Sequence, residues 1–247
     1  MIKVSYIITM IQEVHMSKIT IYHGSEKIIN APDIEVGKKH NDYGQGFYCT
    51  EDIELAKEWA CKNDHDGFAN VYELDLNDLR VLRLNSNGYT ILNWIAILLK
   101  NRVFSLDTPL SRSARDYIIE HFGINVEDYD VIIGYRADDS YFSFADAFIS
   151  NSLPLSSLNK ALRLGKLGEQ VALVSQKAFD NLKYIDSVVA ESKIYYPKFF
   201  SRDNNARLTY RNEIAQTEDV LDDIFVLDII RQEMRNDDPR IQRIVSE

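Results

Sequence analysis

The sequence predicts an α+β fold, and three observations carry that reading. Ala69-Asn70-Val71-Tyr72-Glu73-Leu74-Asp75 alternates at period two, as a half-buried strand does. Residues 91–103 are strongly apolar, the pattern of a helix packed inside a core. Strand and helix segments then alternate irregularly along the chain, with no Gly-x-Gly-x-x-Gly turn to mark a dinucleotide-binding parallel sheet.

The individual elements follow from local chemistry. Lys18-Ile19-Thr20-Ile21-Tyr22 is β-branched and aromatic, a strand stopped by His23-Gly24-Ser25. Residues 26–44 form a loop, and 46–50 a short strand opening on a glycine. Thr50 is the expected N-cap of a helix over 51–61, with acidic residues in its first turn. Asn87-Gly88 marks a turn before the apolar helix, and 111–121 reads as a second helix. Residues 130–134 form a buried strand, and 142–149 and 158–163 short helices. A last strand over 170–175 leads into a helix at 178–182. Beyond 184, an aromatic stretch (195–200) and an open polar run precede an amphipathic helix over 218–235. There Val220, Ile224, Leu227, Ile230 and Met234 form a stripe that this chain or a partner must cover.

Composition narrows the function classes. A chain of 247 residues, 45% of them hydrophobic, can bury a core in one large domain or in a domain with an extension. A net charge of -10 argues against broad nucleic-acid binding, which needs a positive surface to replace phosphate counterions. Cys49 and Cys61 form no CxxC unit, so neither a disulfide scaffold nor a thiolate zinc site is expected, and a reducing compartment fits. The five histidines lack a close metal-ligand spacing. No apolar run reaches the roughly 20 residues that span a bilayer. Residues 1–17 are a lead with a faint signal-like stretch, and Met16 is an alternative start.

Four polar groupings stand at strand ends, where a scaffold holds side chains rigidly. Tyr22-His23-Gly24-Ser25 pairs an imidazole with a glycine that admits close backbone approach. Asp42-Tyr43-Gly44-Gln45-Gly46-Phe47-Tyr48 sets two glycines among aromatics that could present a ring to a flat ligand; an ordinary turn before a strand has the same composition. Gly134 to Asp139 places Asp138 and Asp139 after a buried strand. Glu169-Gln170 opens the last strand, where only one of the two neighbours can face a given cleft.

In this order the segments IYHGS (21–25), NDYGQGFYCTEDIELAKEWA (41–60), VYELD (71–75), DVIIGYRADD (130–139) and EQVALVSQKAFDNL (169–182) resemble the bacterial DUF3990 family, itself similar to ADP-ribosyltransferases. The resemblance implies split antiparallel β-sheets with flanking helices that clamp NAD as a substrate, in a catalytic domain over 18–183 followed by a variable acidic extension over 184–247. It implies catalytic roles for His23, Tyr48 and either Glu169 or Gln170. Cofactor-binding roles fall to His23, Gly24, Ser25, Asp42, Gly44, Gly46, Phe47, Tyr48, Asp138 and Asp139. The implied activity is transfer of ADP-ribose from NAD to a macromolecular acceptor, a protein being favoured; NAD hydrolysis or an inactive NAD- or protein-binding module are the alternatives. It further implies a toxin or effector, cytoplasmic or delivered into a target cell, with an inhibitory antitoxin protein as a candidate partner at the late helix. No metal and no membrane partner are expected.

Overall fold

A computed structural model describes residues 18–86, 88–137, 139–164, 168–216 and 223–246; the lead at 1–17 and Asp138 lie outside them. Strand β1 (Lys18–Ser25) pairs antiparallel with β3 (Gly67–Asp75), in register from Lys18 opposite Asp75 to Ser25 opposite Phe68. The expected stop at His23 is therefore not a stop: β1 runs through the histidine, because β3 offers it ladder partners up to Phe68. On the other side of β3 lies β7 (Leu182–Ala190), giving a three-stranded sheet in the order β1-β3-β7.

The second sheet has the order β2 (Phe47–Cys49), β6 (Gln170–Leu173), β5 (Val131–Gly134), β4 (Val81–Arg83). β2 and β5 flank β6 antiparallel, but β4 and β5 are parallel. The second sheet is thus mixed and not wholly antiparallel. Parallel neighbours need a long crossover, and the chain between β4 and β5 supplies it with α2 (Ile91–Asn101) and α3 (Pro109–Phe122). Among the described residues one backbone bridge joins the two sheets, Tyr22 N to Thr50 O at 2.8 Å and Thr50 N to Tyr22 O at 3.0 Å. Their facing sides bury Ile21, Phe47, Tyr72, Ile133, Val171 and Leu173.

Helix α1 (Ile53–Ala60) lies against β1. Its cap is Asp52, whose Oδ1 accepts from Glu54 N at 2.8 Å and Leu55 N at 3.4 Å. Thr50, the expected cap, is instead buried in the inter-sheet bridge. Helix α2 is buried from Ile91 to Leu99 on every face, which makes it the central element of the larger core, as its composition predicts. Helix α3 packs against it, α4 (Asp139–Ile149) and α5 (Leu155–Leu164) add Ala145, Phe148, Leu155 and Leu158 to the same core, and α6 (Gln176–Asp180) joins β6 to β7.

The C-terminal part differs from expectation in three respects. The expected helix ends at Asp180, and Leu182 opens β7, which runs across residue 184. The polar stretch after Phe200 is not open but continues a long helix, α7 (Ser192–Gln216). Among its described residues the late amphipathic segment is helical as α8 (Val226–Arg231), and Val220 lies outside them. Ile224, Val226, Ile229 and Met234 are buried in the larger core together with Ile241 and Ile244 of α9 (Pro239–Ser246), and Ile230 packs against that core. Of the stripe that this chain or a partner was expected to cover, Ile224, Ile230 and Met234 are thus covered by this chain itself. Among the described residues, no helix is long and apolar enough to cross a membrane.

Candidate functional site

Where β1 and β2 diverge from the Tyr22–Thr50 bridge, a cavity of about 570 Å³ opens. Its walls take His23 from β1, the loop from Ile29 to Gly46, Phe47 and Tyr48 from β2, Arg102, Arg136-Ala137 beyond β5, and Gln170 at the head of β6. The chain path explains the convergence. β6 pairs Phe47 with Leu173 on one side and Gly134 with Gln170 on the other, so the segments before β2 and after β5 leave from opposite ends of β6, and the loop before β2 turns back to bring Asp42 to Ala137 and Gln170.

His23 Nδ1 lies 2.7 Å from the Tyr48 carbonyl oxygen. A carbonyl can only accept, so Nδ1 carries the hydrogen. Burial holds the imidazole below its ordinary pKa. The ring is therefore neutral near pH 7, and its Nε2 is an acceptor. It stacks on Phe47 with centroids 4.3 Å apart.

Tyr48 is fixed at its tip. Its hydroxyl donates to Gly44 O at 2.5 Å and accepts from Tyr43 N at 3.1 Å. Gly44 adopts φ +85°, a left-handed conformation that glycine takes without strain. Burial pushes the Tyr48 hydroxyl far above its usual pKa, so it stays protonated. Tyr43 points elsewhere: it is buried and donates to Tyr135 O at 2.6 Å, a carbonyl that Trp94 Nε1 also reaches at 3.1 Å. Gly46 and Phe47 both stand in the cleft wall.

Asp42 is the hub of the polar wall, and only 5% exposed. Its Oδ1 accepts from Arg102 Nη1 at 2.9 Å; its Oδ2 accepts from Ala137 N at 2.8 Å and from Gln170 Nε2 at 3.2 Å. Burial raises the carboxyl above the usual carboxylate range, against the opposing pull of the Ala137 amide and Arg102. Arg102 is in turn held 4.9 Å from the Phe142 ring centroid.

The open choice at the head of β6 resolves geometrically. Gln170 is buried and lines the cleft, whereas Glu169 is exposed and accepts from Asn85 Nδ2 at 2.5 Å, outside the cleft wall. Asp139 begins α4, but its side chain, like the whole of Asp138, lies outside the described residues.

Gly24 and Ser25 fall in a neighbouring cavity of about 560 Å³ that shares Ile29 and Ala31 with the first. A Cβ on Gly24 would stand 2.0 Å from Ala56 O, so the glycine lets α1 approach β1. Tyr22 turns its N–H and C=O toward Thr50, away from β3; alternation along β1 turns those of Gly24 to the same side. Ser25 Oγ accepts from Asn70 Nδ2 at 3.1 Å and donates to Lys27 O, so it serves the loop and not the first cavity.

Three contributors were not among the sequence candidates. Asn70 is fully buried and pins the loop to β1: its Nδ2 donates to His23 O and Lys27 O, both at 3.2 Å, and its Oδ1 accepts from Ile29 N at 2.9 Å. Its one sequence signal is an amide where alternation calls for an apolar side chain. Arg102 carries no local signal. Arg136 lies in the first cavity's wall with its guanidinium carbon 3.7 Å from the centroid of Trp59, a residue of the second wall. The stack thus stands between the two cavities.

The model for a family described as "Protein of unknown function (DUF3990)" matches residues 19–184. That span begins in β1, ends in β7 and contains every residue named in the cleft. Comparison with curated proteins and with solved structures gave no match.

Proposed function

Taking as premise that this chain belongs to the DUF3990 family, we propose that it is an NAD-dependent mono-ADP-ribosyltransferase. The observation that carries the proposal is the meeting of His23, Tyr48 and Gln170 around one cleft at the fork between two sheets. The cavity volume falls within the roughly 300–1,000 Å³ of small-molecule sites. Its composition also suits a nucleotide, with aromatic faces at Phe47 and Tyr48 and cationic groups at Lys38, Arg102 and Arg136.

In this reading His23 Nε2 accepts a hydroxyl of a bound ribose, and Tyr48 offers its ring to the nicotinamide. The outward N–H and C=O of Gly24 suit the carboxamide, while Gln170 holds the second ribose. When bound, NAD supplies a scissile bond between nicotinamide and ribose C1; the bond's electron pair leaves with nicotinamide. A nucleophile of the acceptor bonds to C1 and loses its proton. The chain's part is to hold the ribose and to screen the developing positive charge from water. The acidic chain suits an acceptor protein rich in lysine or arginine. A toxin or effector role within a cell accords with the reading.

One observation favours a second reading, an NAD-binding module with little turnover. The side chain in the wall at the head of β6 is the neutral Gln170, with Glu169 turned outside. Loss of one transition-state electrostatic contact costs about 10²–10³ in rate. Calorimetric titration with NAD tests the pocket itself. Binding that weakens at least about tenfold in His23→Ala supports it, and absence of binding by the unaltered protein overturns both readings.

A further inference from the structure

We propose that Asp42 is a positioning residue that locks the Gln170 amide in one orientation, making its Oε1 an acceptor for a ligand hydroxyl; this rests on the NAD reading only for the ligand's identity. An ionised carboxylate accepts and never donates. Asp42 Oδ2 already takes Ala137 N, and Gln170 Nε2 fits beside it as a second donor. Turning the amide over would set its oxygen against the carboxylate oxygen in a buried site, where unfavourable contacts are not screened by water. Arg102 holds the carboxylate from its other side at 2.9 Å, so the hub does not swing away.

With Nε2 committed, the planar amide directs Oε1 away from Asp42. Among the described residues no donor reaches that oxygen, although Gln170 is 95% buried and lines the cleft. A ligand group placed there must donate. A ribose hydroxyl does so; a deoxy position does not, and a phosphate ester there would meet an acceptor with acceptors. The same hub accounts for glutamine at this position. A glutamate at 170 would set two carboxylates about 3 Å apart, and such pairs retain a proton between them. Asp42 and a neutral residue 170 therefore belong together.

The test compares three full-length proteins: unaltered, Asp42→Asn and Gln170→Glu. NAD is titrated at about pH 5.5 and about pH 8, and the Gln170 side-chain amide is followed by ¹⁵N NMR in the unaltered protein and in Asp42→Asn. The proposal expects Gln170→Glu to lose affinity about tenfold at the higher pH and to recover at the lower one, where one proton is shared. The Gln170 amide signal shifts and exchanges faster in Asp42→Asn. A Gln170→Glu affinity that does not recover at the lower pH, or an amide signal unmoved by Asp42→Asn, overturns the proposal. If the unaltered protein binds no NAD, the NAD reading falls while the amide signal still decides the role of Asp42. Should Asp42→Asn not fold, the pH response of Gln170→Glu decides alone: flat overturns, recovering supports.

Discussion

Glu169 and Gln170, adjacent in the chain, part at the head of β6: the glutamate reaches out to Asn85 and the glutamine turns in to Asp42. Consecutive strand residues face opposite ways, and only the second is buried. The consequence is a clean pair of variants. Gln170→Ala weakens NAD binding about tenfold, the worth of one hydrogen bond and its positioning, whereas Glu169→Gln leaves it unchanged. Titration of both variants checks this, and the reverse order refutes the assignment.

His23 makes stability depend on pH. Its imidazole is held below its ordinary pKa by burial, so the unfolded chain binds the proton more readily. The stabilisation is present above the unfolded value of about 6.5 and is lost as pH falls from there through the folded value. A His23→Gln variant therefore shows a shallower fall in urea-denaturation free energy below about pH 6.5, by at most about 1.4 kcal/mol per pH unit. An unchanged slope contradicts the burial argument.

Asn70 ties three backbone groups, at His23, Lys27 and Ile29, from inside the sheet. An Asn70→Leu replacement of similar size leaves them buried without that partner, at about 1–3 kcal/mol for each group that water does not reach. Chemical denaturation should give a loss of at least about 2 kcal/mol, with proteolysis entering first in the loop after Ser25.

Gly24→Ala tests the approach of α1 to β1. The added methyl meets the Ala56 carbonyl oxygen at 2.0 Å, backbone against backbone, so one element must move. Overpacking of this kind costs about 1–3 kcal/mol. Displacement of α1 carries Trp59 away from Arg136, so NAD affinity falls together with the melting temperature. A folded, fully binding variant contradicts the account.

Glu58 on α1 is buried against Arg202 of α7, which it meets in a two-pronged pair at 2.6 and 2.9 Å. Arg202→Ala leaves a buried carboxylate behind, which costs about 3–5 kcal/mol, whereas the paired change Glu58→Gln/Arg202→Ala costs less. Thermal denaturation of both proteins checks the order.

How much of this was legible in the sequence depended on how far each signal is local. β3 and α2 announce themselves because alternation and all-round apolarity reflect burial by the fold directly. β4 is three residues long and leaves no window for a period. β7 is a sheet-edge strand with exposed positions, Lys183, Ile185 and Asp186 among them, and the register shift opposite Val71–Tyr72 breaks its alternation. In α7, Pro197 near the start reads as a breaker, yet the helix continues past it and is tied to α1 by Arg202. At the site, His23, Asp42, Tyr48 and Gln170 were recognisable as strand-end polar groups. Arg102 was not, because its partner lies 60 residues away and nothing beside it in the chain signals a charge pair. The choice between Glu169 and Gln170 needed the register of β6 against β5.

The most direct test of the central claim supplies NAD labelled in its adenine half to the purified protein and a cell lysate, beside a His23→Ala control. The account predicts label fixed to a macromolecule with the unaltered protein and none with the control. Nicotinamide released with all label remaining free would make the protein a hydrolase, and no turnover with either protein would contradict the transferase outright.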